Sequence, residues 1–190
     1  MPGPVHSTVT GFSGGAQNVA RAEPVCMAMV GAVAVRWTEV ETSLEVLLAT
    51  ALAPAWLHSG GGVGTEINWV ARVAMKQAET IRTRLKLIES MIVPLIRGSR
   101  FESNWREIEK QLRARSKERN EIVHAEWKIA SELPGKIIRS NGSVWEQWGV
   151  ADFKAVLSRF HKLAMAIAAF QMAIGEANAR NELPTIPGPP

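Results

Sequence analysis

The stretch ADFKAVLSRFHKLAMAIAAFQMAI, residues 151–174, decides the fold class. Its apolar residues alternate at spacings of three and four over about three heptads, which is typical of a helix that packs nearly parallel to its neighbours in a bundle. The acidic Asp152 falls in the expected first turn, so the pattern predicts a helix that begins at about Ala151. The seam consists of Phe153, Val156, Phe160, Leu163, Ile167, Phe170 and Ile174.

Three upstream segments show the same helical period. The stripe of the first is Trp37, Val40, Leu44, Leu47, Leu48 and Ala51. The second begins after a cap at Thr65, ends near Pro94, and has the stripe Ile67, Val70, Ala74, Ala78, Ile81, Leu85, Ile88 and Ile92. The third begins near Glu102 or Asn104, with Trp105, Ile108 and Leu112 on its inner face. Together with the last helix, these segments predict an all-α, up-and-down four-helix bundle.

A small β-hairpin insert is predicted before the last helix, where the hydrophobic period changes. Residues 137–140 and 143–146 flank Asn141-Gly142, a dipeptide typical of a two-residue type I′ turn. Trp127–Ile129 is expected to add an edge strand, with Pro134-Gly135 as its turn. Three tryptophans, Trp127, Trp145 and Trp148, fall in this region, where they either stack nucleobases or form the packing face of the hairpin.

Composition indicates one soluble globular domain. The chain has 190 residues, of which 46% are hydrophobic, and no apolar run long enough to span a bilayer. We expect a disordered tail over residues 1–23, a helical domain over 24–180 and a Pro-rich tail over 181–190. The single cysteine, Cys26, excludes an internal disulfide and favours a cytoplasmic location. The Gly-rich residues 59–65 lack the lysine of a phosphate-binding loop and are expected to be a flexible connection.

The positive charge of the chain is concentrated in one segment. The whole protein carries a net charge of +4, whereas residues 82–119 contain 11 Lys or Arg and 5 Glu, a net of +6. This concentration favours a polyanionic partner such as RNA, although a solvated helix face with basic residues gives the same composition. The candidate RNA-binding residues, which we call the basic face, are Arg106, Lys110, Arg113 and Lys117.

A short motif, Arg119-Asn120-Glu121-Ile122-Val123-His124, follows this basic segment. Arginine provides a permanent cation with a planar fork of donors, histidine transfers protons near neutral pH, and asparagine orients either one. This combination suits phosphodiester cleavage without a metal. A chain of this composition contains an Arg-Asn pair at this distance from a histidine about 0.01 times by chance.

The wider string Arg119-Asn120-x-Ile122-Val123-His124-x-x-Trp127 resembles the HEPN (higher eukaryotes and prokaryotes nucleotide-binding) domain family. The resemblance covers residues 33–178 and implies a helical bundle, a homodimer and, in many members, a metal-independent endoribonuclease. Arg119, Asn120 and His124 are then the catalytic candidates. Several members act as toxins or in defence against phage, which makes an antitoxin protein a further candidate partner.

The third helix turns cationic where the motif begins. Its inner stripe continues through Arg115 and Arg119, residues that are costly to bury. On a straight helix Arg119 and His124 diverge by about 140°, so one protomer is not expected to bring both to one phosphate unless the helix bends. A two-fold dimer with paired motifs, which the resemblance implies, removes this difficulty. Glu41, within the first apolar stripe, either reaches water or pairs with Arg119 as a supporting residue.

Two alternatives to a ribonuclease stay open at this point. The same basic face fits a non-catalytic module that binds RNA, a nucleotide or a protein, and Arg119 and Asn120 also suit a structural role between helix ends. No cofactor is predicted. The four histidines have no metal-ligand spacing, and no Gly-x-Ser-x-Gly nucleophile motif occurs. His161 is only a weak second histidine candidate.

The charge concentration gives a first prediction. The protein should bind RNA with an affinity that falls steeply as salt rises, because released counterions drive the association. Fluorescence anisotropy with a labelled RNA across a salt series measures this slope. An absence of RNA binding at low salt contradicts both nucleic-acid hypotheses together.

Overall fold

The computed structural model describes residues 2–5, 9, 11–52, 65–141 and 144–183, which form a mostly helical structure with a small antiparallel sheet. Six helices lie in these residues: α1 (Ala16–Ala22), α2 (Pro24–Leu52), α3 (Thr65–Gln77), α4 (Ile81–Ile96), α5 (Phe101–Val123) and α6 (Val150–Ala179). The strands are β1 (Gly3–Pro4), β2 (Ser13–Gly14), β3 (Trp127–Ile129), β4 (Lys136–Asn141) and β5 (Val144–Gly149). The prediction of four helices is therefore short by two for the described part of the chain.

The chain divides into two compact units. The first unit consists of Met1–Thr38 and Lys117–His161, and the second of Glu39–Ser116 and Lys162–Pro190. All five strands and the motif belong to the first unit, whereas α3 and α4 belong to the second. Among the described residues, no single helix is long and apolar enough to cross a membrane; α1 and α2 meet those criteria only when joined across a bend of 118°.

The sheet of the first unit has the strand order β1-β5-β4-β3-β2 and is antiparallel at each pairing. It contains the predicted hairpin, because β4 and β5 pair along their whole length. The predicted turn at Asn141-Gly142 lies partly outside the described residues, but Asn141 itself pairs with Val144 and so belongs to the strand. Trp127–Ile129 is a strand as predicted, although it is not the edge, since β2 pairs beyond it.

The N-terminal residues supply both edges of this sheet. Gly3 and Pro4 pair with β5 at one edge, and Ser13 and Gly14 pair with β3 at the other. Helix α1 follows directly and buries Val19. Residues 1–23 were predicted to be a tail without regular structure because their composition shows no hydrophobic period. Strands of two residues are held by backbone hydrogen bonds, so they form without a hydrophobic period in the sequence.

The predicted seams of the first and last helices are confirmed. Every stripe residue of α2 and of α6 is buried, and each helix contributes to the cores of both units. α2 begins at Pro24, earlier than its amphipathic stripe, because the apolar residues 25–35 continue the helix in phase. At the start of α6, the Gly149 amide donates to the Asp152 carboxylate at 3.0 Å, which satisfies one of the free amides of the first turn.

The segment predicted as one long second helix is broken in two. α3 ends at Gln77 and α4 begins at Ile81, because Thr80 caps α4: its hydroxyl accepts from the Thr83 amide at 3.2 Å, and the Thr83 hydroxyl accepts from the Thr80 amide at 3.1 Å. Because of the break, the buried stripe of α3 is not in register with that of α4. α3 buries Ala71 and Met75 instead of the predicted Val70 and Ala74. The helix ends near Pro94 as predicted, because Pro94 lies in the last turn of α4 and the helix ends at Ile96. The predicted Gly-rich connection over residues 59–64 lies outside the described residues.

This capping box gives the second prediction. Thr80→Ala should lower the free energy of unfolding by about 1 kcal/mol, because the α4 amides lose their side-chain acceptor. Urea denaturation followed by circular dichroism measures the loss. Ser90→Ala, an exposed substitution inside the same helix, is the matched control and should leave stability nearly unchanged. Equal stability of the two variants would show that the cap does not hold the break.

Candidate functional site at the end of α5

The C-terminal end of α5 carries the motif on a half-buried surface. Trp105, Ile108 and Leu112 form the buried stripe of this helix, as predicted. The stripe continues through Ser116 and Ile122, both buried, while Arg115 and Arg119 lie beside it and are only half-buried. The predicted cationic stripe is therefore displaced to the border of the core, where a guanidinium keeps access to water.

The side chains of Arg119, Asn120 and His124 converge within one chain. Nη1 of Arg119 donates to Oδ1 of Asn120 at 2.9 Å and lies 3.5 Å from Nε2 of His124. Because a guanidinium only donates, the contact with His124 requires the imidazole tautomer that carries its proton on Nδ1. The expectation that one protomer does not bring Arg119 and His124 together is corrected by this geometry.

The end of the helix explains the convergence. α5 ends at Val123, and the His124 amide still donates to the Asn120 carbonyl at 3.1 Å. His124 is thus the first residue beyond the helix, where the angle of about 140° calculated for a straight helix does not govern its side chain. His124 and Asn120 are exposed, so the two groups face solvent beside the half-buried Arg119.

Arg119 has a donor that the described residues do not satisfy. Its Nε is buried and has no hydrogen-bond partner among them, although Nη1 is engaged. An unpaired buried donor costs free energy that an acceptor brought by a ligand would recover. Guanidinium groups bind phosphate through two parallel N–H groups, and Nε becomes the second of them only if the Arg119 side chain turns to expose it.

Two contacts from the sheet position the end of α5. Trp127 is buried, and its indole N–H donates to the Ile122 carbonyl at 3.1 Å, which satisfies one of the terminal carbonyls of the helix. Arg139 on β4 lies 3.7 Å from a carboxylate oxygen of Glu121, the residue between Asn120 and Ile122. A third contact comes from α6, where Arg159 forms an ion pair with Glu118.

Arg139 is a buried cation that the sequence analysis missed. Its side chain forms an ion pair with Glu146 at 2.8 Å and lies over the ring of Trp148, 4.8 Å from the centroid. Arg139 pairs directly opposite Trp127 and so shares the inner face of the sheet with it. A signal was present, because Arg139 lies two residues after Ile137 in the predicted hairpin and therefore shares its inner face, and an arginine at such a position needs carboxylate partners.

The predicted supporting residues have partners of their own. Glu41 forms an ion pair with Arg84, with Oε1 and Nη1 2.7 Å apart, so its carboxylate is balanced within the second unit. The Glu41 side chain is 32% exposed, so it also reaches water, which is one of the two predicted alternatives, and the arginine with which it pairs is Arg84 instead of Arg119. Arg115 is half-buried and also has an interaction partner.

The basic face is partly neutralised by acidic residues of the chain. Arg106, Lys110, Arg113 and Lys117 are all exposed. Glu109 accepts from Arg113 at 2.7 Å and from Arg106 at 3.2 Å, while Lys117 lies 3.8 Å from Glu121. These four side chains recur along α5 at spacings of four and three, which places them on one side of the helix.

The two carboxyl groups beside Arg113 have displaced pKa values. Burial raises the pKa of Glu109, but hydrogen bonds with Arg113, Glu89 and Arg106 outweigh burial and hold it below its ordinary value. Burial, the hydrogen bond with Glu109 and the charge of Glu109 raise the pKa of Glu89, against the attraction of the two arginines. Glu109 therefore stays ionised at neutral pH and offsets part of the charge available to a polyanion.

Two of the three tryptophans in the hairpin region, Trp127 and Trp148, have a packing role. Trp127 and Trp148 are buried and pack against each other and against Phe153, at centroid distances between 5.2 and 5.9 Å. Trp145 differs, because it is half-buried and faces the opposite side of the sheet. His161 is exposed on α6, as expected for a surface residue.

No protein-family model, curated protein or solved structure matches this chain. Among the residues that the structure describes, no three His, Cys, Asp or Glu side chains are grouped so that they could hold a metal ion.

The third prediction concerns Arg139. Arg139→Ala should lower the free energy of unfolding by about 3 kcal/mol, because it removes the ion pair with the half-buried Glu146 and the contact with the Trp148 ring. Lys117→Ala is the matched control: it also removes a partner of Glu121, but an exposed one, and should cost less than about 0.5 kcal/mol. Thermal unfolding of both variants compares the two effects. A similar small loss in both would contradict a structural role for Arg139.

Proposed function

We propose that this protein is a metal-independent endoribonuclease of the HEPN type, with its active site at Arg119, Asn120 and His124. The observation that carries the proposal is the convergence of these side chains on Nη1 of Arg119, 2.9 Å from Asn120 and 3.5 Å from His124. A cation and a proton-transfer group at this separation reach the oxygens of one phosphate.

Each residue has a separate role in the proposed reaction. His124 takes the proton of the 2′-hydroxyl or protonates the leaving 5′-oxygen, and its exposed position leaves either path open. Arg119 stabilises the charge that develops on the phosphate through its half-buried guanidinium group. Asn120 orients the guanidinium through its amide oxygen. The attack of the 2′-oxygen on phosphorus expels the 5′-oxygen and leaves a 2′,3′-cyclic phosphate.

A second candidate function is a non-catalytic module of the same fold that binds RNA or a nucleotide. The observation that favours it is the mutual engagement of the motif: Arg119 already has Asn120 as an acceptor and His124 beside it. A side chain held in this way serves as a binding cation or as a clamp at the end of α5 without proton transfer. The two functions differ in the role of His124.

The wider setting belongs to the same proposal. We propose a cytoplasmic protein that acts on RNA as a homodimer, with the helices in an up-and-down bundle and the motifs of both chains facing one cleft. In the cell, we propose that the protein acts as a toxin or in defence against phage, with an antitoxin protein as its partner. The motif is nevertheless assembled within one chain, so dimerisation here would add surface for RNA instead of completing the set of side chains.

The fourth prediction separates the enzyme from the binding module. His124→Ala should lower RNA cleavage by about 10²–10⁴-fold and leave the fold and the RNA affinity nearly unchanged, because proton transfer is needed mainly in the transition state. His161→Ala, which removes an exposed histidine of the same unit, is the matched control and should cleave at the wild-type rate. Gel analysis of cleavage in EDTA, with detection of the cyclic phosphate end, provides the measurement.

Arg119 should respond differently in the same assay. Arg119→Ala should lower affinity and rate together, because the cation contacts phosphate in the ground state and in the transition state. Arg119→Lys should restore only part of the activity, since an ammonium lacks the forked donors. The catalytic proposal is wrong if wild-type protein leaves single-stranded and structured RNAs uncut in EDTA and in magnesium alike, or if His124→Ala cleaves as fast as wild type.

A further inference from the structure

One aromatic side chain of the sheet is not used by the core. Side chains alternate along β5, so Trp148 points inward to Trp127 and Phe153 while Trp145 points to the opposite face. Trp145 is half-buried. Its indole therefore offers one face to whatever lies on the outer side of the sheet.

Phe12 lies on Trp145 in a parallel stack. The two ring centroids are 4.8 Å apart, and the ring planes differ by 16°. Among the described residues of this unit, the other aromatic pairs are tilted or edge-on, with interplanar angles between 43° and 79°. A stacked pair also occurs in the second unit, where the ring planes of Trp105 and Phe170 differ by 28°, but both of those rings are buried. On the half-buried indole of Trp145, a parallel stack is the geometry that a nucleobase adopts.

The stack is held by weak contacts at the surface. Phe12 is 39% exposed, and its segment is held to the sheet by the two-residue strands β1 and β2 and by the Val5 amide, which donates to the Trp145 carbonyl at 2.9 Å. Gly11, which precedes Phe12, is exposed. A ring that is already partly in water, on a segment with so few backbone hydrogen bonds, loses little when it leaves its partner.

A cation lies beside the same indole. Nζ of Lys128 is 4.8 Å from the centroid of the Trp145 ring, and Lys136 lies on the same outer face of the sheet. Lys128 also lies 3.8 Å from Glu126, but that carboxylate is 76% exposed and binds the ammonium weakly. An aromatic platform with an adjacent ammonium is complementary to a base and its phosphate.

We propose that Trp145 is a stacking site for a base of single-stranded RNA, that Lys128 binds the neighbouring phosphate, and that Phe12 occupies the site in the free protein. The choice of RNA as the ligand rests on the proposed function. Phe12 then competes with RNA, so the N-terminal segment lowers the affinity of the resting protein. Lys128 follows His124 by four residues, so the lysine of this platform lies on β3, the strand that follows the motif in sequence.

The test measures the affinity for a fluorescein-labelled oligoadenylate by anisotropy, in the full chain carrying His124→Ala so that the RNA stays intact. Phe12→Ala should tighten binding by about 2- to 10-fold, because it removes the competing ring. Ser13→Ala, an exposed neighbour on β2, is the matched control and should change nothing. Trp145→Ala should weaken binding by about 5-fold or more, and Trp145→Phe by less, because a smaller ring remains.

The Phe12 variant decides the outcome even where Trp145→Ala fails to fold. Equal affinities of the parent, Phe12→Ala and Ser13→Ala proteins would overturn the proposal and leave the stack as ordinary packing. A tightening by Phe12→Ala that becomes smaller when Trp145 is already changed to Phe supports a shared platform, because residues that act through one contact are not additive. A tightening of the same size in both backgrounds shows that Phe12 acts independently of Trp145 and overturns the proposal. Cleavage is measured separately in the protein that retains His124. Cleavage without an effect of Phe12→Ala on affinity contradicts only the stacking proposal. An effect of Phe12→Ala on affinity without cleavage contradicts only the ribonuclease proposal.

Discussion

The termination of α5 at Val123 is the constraint on which the arrangement of the motif depends. If the helix continued, the ring of His124 would lie about 140° around its axis from Arg119. The chain instead leaves the helix, and Trp127 enters the core while its indole N–H holds the Ile122 carbonyl at 3.1 Å. The burial of one tryptophan thereby decides where the histidine lies relative to the arginine.

The charges around this helix end are balanced from several directions. Glu118 pairs with Arg159, and Glu121 lies between Lys117 and the buried Arg139. These ion pairs use Glu118, which precedes the motif, and Glu121, which lies within it, whereas the Arg119 guanidinium contacts Asn120 and His124. Retaining one such cation beside a proton-transfer group is the electrostatic condition for phosphate chemistry.

The N-terminal residues form both edge strands of the sheet in the first unit, which their composition does not predict. Both edges of the sheet are closed by two-residue strands from this segment, which protects edges that would otherwise pair with other chains. Because Phe12 belongs to the same segment, the protection of the sheet and the cover on Trp145 are coupled.

The sequence by itself determined the helices whose apolar residues recur with a constant helical period, the hairpin, and the residues that make up the motif. The seams of α2 and α6 follow from periodicity, because burial of one stripe is the main reason that these helices form. The break at Thr80 depends on a reciprocal cap that apolar periodicity does not record. Only the tertiary structure decided the partners of Glu41 and Arg139 and the meeting of Arg119 with His124. Charged side chains are long and flexible, so their partners are chosen by which residues the folded chain brings within reach, and spacing along one helix does not contain that information.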